Sequence, residues 1–145
     1  MVVAAQPART DAPARWRRMV PPVALVGGLA AASLALHLRD PHEQGSWGLC
    51  PFAAAGFSCP GCGGLRAVND LTNLQLGAAA SSNLLFVLVV PFVVYAVARW
   101  THGRWTGRAW AVPERRVLAM TGLLLAAMLV FAVVRNTAAG AWLAP

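Results

Sequence analysis

Lysine is absent from this chain of 145 residues, and only five acidic side chains accompany its twelve arginines. Charged residues make up 12% of the chain against 58% apolar ones, too few to give an ordinary soluble domain a solvated surface. The charges are also clustered, so long stretches carry none. A formal net charge of +7 would suit a nucleic-acid partner. Arginines held at the cytoplasmic face of a membrane account for the same excess, and no nucleic-acid partner is expected. Ionisable side chains are missing from the middle of every long apolar stretch, which argues against a proton or ion carrier.

What is present are three such stretches. Met19 to Leu38 is twenty residues without a charge, long enough to cross a hydrocarbon core of about 30 Å. Pro21 and Pro22 suit the first turn of a helix, whose N–H groups have no intrahelical partner, and so mark its start. In the second stretch, Leu71 to Ala98, the run LLFVLVVPFVVYAVA places a helix near 79–98, with a kink expected at Pro91. The third stretch, Val117 to Val134, opens after Arg115 and Arg116. The spans are thus expected at about 19–38, 79–98 and 117–134. Residues 1–18 read as a disordered basic tail and 19–145 as a single membrane domain. A cleaved signal peptide is the competing reading of the first stretch, although its apolar run is longer than a usual signal core.

Orientation follows from arginine counts. Nine flank the N-terminal side and the second loop, whereas Arg39, Arg66 and Arg135 fall on the other side, which places the N-terminus in the cytoplasm. Trp100, Trp105 and Trp110 then lie near the inner surface, and Trp16, Trp47 and Trp142 flank other span ends.

All three cysteines fall in the first loop, as Cys50-Pro51-Phe52 and Cys59-Pro60-Gly61-Cys62-Gly63-Gly64. Outside the cytoplasmic membrane they suit a disulfide that staples the loop, with one thiol left over. They equally suit a metal: the C-x2-C turn offers two thiolates, Cys50 a third and His42 a fourth, a Cys3His set of the kind zinc takes. Thiol–disulfide exchange is the third possibility. Gly63 to Val68 reads as the start of a short amphipathic helix, with Cys62 near its N-terminus and Arg66 one turn on, an environment that favours thiolate. The chain lacks the soluble αβ scaffold that usually presents a redox C-x-x-C, so it does not read as an enzyme. Asp70 and Asn73 lie where they could face the cysteines. His37 and His102 read as surface residues near the outer and inner interfaces.

Asp40-Pro41-His42-Glu43, Cys50-Pro51-Phe52, Cys59-Pro60-Gly61-Cys62-Gly63, Arg66-Ala67 and Asn83 together resemble the domain-of-unknown-function 2752 family of small bacterial membrane proteins. Val134-Arg135-Asn136 and Trp142-Leu143-Ala144-Pro145 resemble its actinobacterial members, and the likeness runs over roughly residues 38–145. It implies a membrane location and a role for the cysteine loop, without an activity. The chain departs from the family's pattern at Asn69, at Asn73-Leu74-Gln75 and at Leu84.

The expectation is therefore an all-α, multi-pass cell-membrane protein with three transmembrane helices, a cysteine-containing outer loop and a short helix before the second span. Span one should pack through Gly27, Gly28 and Ala30 to Ala32. The function expected is that of an accessory or scaffold subunit with a cysteine-stapled loop, embedded in the lipid bilayer beside a membrane-protein partner or in a homo-oligomer. The alternative is a metal-binding or thiol-exchange membrane protein.

Overall fold

The computed structural model describes residues 12–43, 52, 55–108 and 111–143. Every regular element among them is a helix: α1 (Ala12–Leu38), α2 (Gly64–Thr72), α3 (Leu76–Thr106) and α4 (Glu114–Arg135), then a 3-10 turn (Ala138–Leu143). The helices α1, α3 and α4 are each long and apolar enough to cross a membrane. The chain is an all-helical, multi-pass membrane protein, with α2 lying between the first two spans.

The expected span positions fall inside these helices, but the helices extend beyond them. α1 begins at Ala12, so residues expected in the basic tail are already helical. Pro21 and Pro22 consequently sit inside α1 and do not mark its start. They delete two backbone donors, and the helix continues because the residues around them still close their own turns. At the start of the second loop, α3 carries Trp100 and Trp105 on its last turns to a stop at Gly107, which takes the left-handed conformation (φ 73°) favoured by glycine at a helix end.

The interruption expected at Pro91 occurs earlier. Backbone at Asn83 (φ −162°, ψ 91°) leaves the helical region, whereas Pro91 remains within the helix. An extended residue whose side chain accepts from the N–H three residues on is the geometry of a helix N-cap, and Asn83 Oδ1 accepts from Phe86 N–H at 2.9 Å. α3 is therefore two helices in series, with Asn83 starting the second.

Apolar side chains along the spans face outward; Leu29, Phe92 and Leu123 are all exposed. In lipid this costs nothing, because hydrocarbon tails are as apolar as leucine. The small-residue face of α1 does not pack against the rest of the chain. A Cβ added at Gly27 or Gly28 would meet nothing within 4 Å, and residues 30–32 are exposed. Helices in lipid gain nothing hydrophobic by closing such a face, so polar contacts decide where they meet.

Those contacts gather at one end, where the buried polar residues are Asn69, Asp70, Ser82, Asn83 and Arg135. Here α2 packs on α3 and on the end of α1, and Asn69 Nδ2 donates to Leu36 O at 2.8 Å. The 3-10 turn folds back over the last turn of α4 so closely that a Cβ at Gly140 would collide with the backbone of Val134 and Arg135. Gly140→Ala is expected to destabilise the protein by about 1–3 kcal/mol, as overpacking does. Gly27→Ala, which meets open space, is expected to change stability by less than about 0.5 kcal/mol. Thermal melts of the two variants in one detergent check both.

Candidate functional site: a clamped cysteine knuckle

The knuckle begins as local turn chemistry. Cys62 N–H donates to Cys59 O at 3.1 Å and Gly64 N–H to Gly61 O at 3.1 Å, closing two successive turns around Pro60-Gly61. Gly63 then takes a left-handed conformation (φ 79°) and caps α2, which sets Cys62 just ahead of that helix's N-terminus. The Cys59 and Cys62 sulfurs come within 2.7 Å of each other, in hydrogen-bond reach with either as donor. Both residues are half-buried.

Side chains from two spans hold this turn by its carbonyls. Asn83 Nδ2 donates to Pro60 O at 2.9 Å and to Cys62 O at 3.1 Å. Arg135, at the end of α4, donates through Nη1 to Cys59 O and Cys62 O, both at 3.0 Å, and through Nη2 to Leu143 O at 2.8 Å. Asn136 adds a pair of antiparallel bonds to Ser58, accepting from its N–H at 2.9 Å and donating to its carbonyl at 2.8 Å. Arg135 is 2% exposed, and its Cζ lies 5.0 Å from the centre of the Phe131 ring. Its Nε has no partner among the described residues. No carboxylate pairs with this cation there, and the ionisable groups whose charge reaches it are Cys62 and Cys59. A buried guanidinium thus supplies positive potential to the two sulfurs.

A second polar cluster lies beside the first. Asp70 is 3% exposed, and both its oxygens are engaged: Oδ1 with His42 Nε2 at 2.9 Å and Oδ2 as acceptor from Ser82 Oγ at 2.8 Å. Ser82 immediately precedes Asn83, so this cluster fixes the break in α3 from the other side.

The candidate ligands are therefore divided. Cys59 and Cys62 are brought together, His42 lies on Asp70, and Cys50 falls outside the described residues. No three potential ligands gather among the described residues. Asp70 faces His42 rather than a cysteine, and Asn73 Nδ2 bonds Asn69 O at 3.0 Å. His37 Nδ1 lies 3.4 Å from Thr72 Oγ1.

The sequence reading missed the clamp. Arg135 was legible only as a flanking charge, although an arginine ending a span on the charge-poor side is itself a signal, because the positive-inside bias gives it no reason to be there. Asn83 had only its family resemblance to point to it. Asn136 stood only within the resemblance of Val134-Arg135-Asn136, and Ser58 and Ser82 carried no signal.

The geometry defines a class: a three-span helical membrane protein with a cysteine knuckle docked on one end of its helices. Residues 50–97, from the cysteine loop into α3, match the model of a family described as a protein of unknown function, DUF2752. No curated protein and no solved structure matches the chain.

Asn83→Ala removes two loop bonds and a cap together and is expected to cost about 2–4 kcal/mol. Arg135→Ala leaves three carbonyls without their charged donor and is expected to cost about 3 kcal/mol or more. In both variants limited proteolysis should open the 55–63 segment before the spans melt. Unchanged protection would mean the clamp does not hold the loop.

Proposed function

We propose that the protein is an accessory membrane subunit whose docked loop presents Cys59 and Cys62 as a thiol–disulfide couple to a disulfide-bearing partner at the outer face of the cell membrane. The observation that supports this most directly is the division of labour in the knuckle. Asn83, Arg135 and Asn136 hold its backbone, and the two sulfurs are left facing each other. A bond between residues three apart closes a very short loop, which limits its entropic value as a staple to about 2 kcal/mol. The polar clamp supplies more than that, so the fold of the loop need not depend on the bond.

In the exchange, a thiolate of the pair attacks the partner's disulfide and forms a mixed disulfide, releasing one partner thiolate. The second cysteine then displaces the other partner sulfur. The Cys59–Cys62 bond forms, the partner is reduced to two thiols, and two electrons pass from this chain to it. The N-terminus of α2 follows directly on Cys62, and the Arg135 guanidinium holds the carbonyls of both cysteines. The stapled loop is then the oxidised state of the couple. The arginine bias supports a cytoplasmic N-terminus, which would put the knuckle on the oxidising side.

Differential alkylation of the full chain, purified gently from membranes and read by mass spectrometry with elemental analysis, tests this. A Cys59–Cys62 bond that opens in mild reductant and recloses with a small-molecule disulfide is expected, and a single Cys→Ser variant should trap a mixed disulfide. Stoichiometric metal with protected thiolates would establish a metal knuckle in its place. The double variant Cys59→Ser, Cys62→Ser should keep near-normal abundance and melting, because the clamp remains. Loss of the folded protein would return the cysteines to a purely structural role.

A further inference from the structure

At the opposite end of the molecule, the start of α1 meets the last turns of α3, and their side chains form a cavity of about 500 Å³. Arg15, Arg18, Arg108 and His102 line it together with Trp105 and Thr106. Among the described residues no acidic side chain lines it, and the one ion pair is at the far end, between His42 and Asp70. The arginines are held by more than a loose loop. Arg15 Cζ lies 5.1 Å from the centre of the Trp105 ring, and Gly107 turns so close to Arg18 that an added Cβ would sit 2.7 Å from Nη1.

This basic cavity continues into a second one. A groove of about 700 Å³ with almost wholly apolar walls runs between α1 and α3, and His102 and Trp105 line both. Along α1 the groove reaches from Met19 to Leu29. At the helical rise that is about 15 Å, the depth of one leaflet of a hydrocarbon core about 30 Å thick. A cluster of cations at the interface that opens on a leaflet-deep apolar channel has the shape and charge order of a phospholipid.

We infer that the cleft between α1 and α3 binds one anionic phospholipid, with its phosphate among Arg15, Arg18 and Arg108 and an acyl chain along the groove past Val97. This rests on a different part of the molecule from the cysteine proposal and stands or falls separately. A free phosphate would satisfy the cations and leave the groove unused, and a lipid uses both.

Native mass spectrometry of the full chain in mild detergent, supplied with phosphatidylglycerol or phosphatidylcholine, tests the inference. Retention of phosphatidylglycerol is expected to exceed that of phosphatidylcholine by about tenfold or more, since each arginine near an anionic headgroup contributes about a factor of five. Arg18→Gln with Arg108→Gln should abolish this preference. Arg115→Gln with Arg116→Gln removes the same charge at the same membrane face from outside the cavity and should preserve it. Equal loss in both double variants would reduce the effect to general surface charge and overturn the site. So would equal retention of the two lipids by the unaltered protein, or displacement of phosphatidylglycerol by inorganic phosphate at matching concentration, which would make the cavity a site for the free ion.

Discussion

One guanidinium, that of Arg135, organises the end of the molecule on which the candidate site is built. A buried charge at the margin of a membrane is costly unless its donors find acceptors, and here Nη1 and Nη2 donate to carbonyls from two otherwise separate pieces of chain. Cys59 and Cys62 come from the loop after the first span, and Leu143 comes from the turn after the third. Because those carbonyls lie far apart in sequence, the guanidinium can be paired only when loop, span and C-terminal turn are all in place. The folding of the loop and the electrostatic setting of its thiols are consequences of the same contact.

Asn83 complements this contact from the second span. Breaking the helix there frees an amide that caps the helix to follow and grips the knuckle behind it. Asp70 supports the break through Ser82 and ties it to His42. The result departs from the pattern of a soluble protein: the buried residues at this end include as many polar as apolar side chains, and most large apolar side chains of the spans face outward. That departure follows from the solvent. In lipid, apolar contact between helices is worth little more than contact with a chain, whereas an unpaired polar group is expensive, so hydrogen bonds decide the packing.

The spans were legible because a bilayer imposes length and composition directly on sequence, and the charge-free runs recorded both. Their limits were less so. A helix continues past the hydrocarbon wherever its backbone bonds are met, which is why α1 starts in the basic segment and α3 carries two tryptophans beyond its expected end. The prolines misled for a related reason: a proline removes one bond and need not end a helix, whereas Asn83 ends one by offering its side chain as a substitute for the lost partner. The knuckle was visible in Cys59-Pro60-Gly61-Cys62, because turn residues and paired sulfurs are a local signal. The three side chains that hold it were not, since each acts on a segment remote from it in the chain.

Sequence by itself determined that this chain lives in a membrane, how many times it has the means to cross, and that its cysteines are confined to one loop. Those properties depend on composition and on spacing between near neighbours. Tertiary structure decided that Cys59 and Cys62 meet, that His42 turns to Asp70, where the second span breaks, and that arginines from α1 and from just beyond α3 converge beside an apolar groove. Each of those depends on hydrogen bonds or close approaches between residues tens of positions apart, and only the folded chain brings such partners within reach.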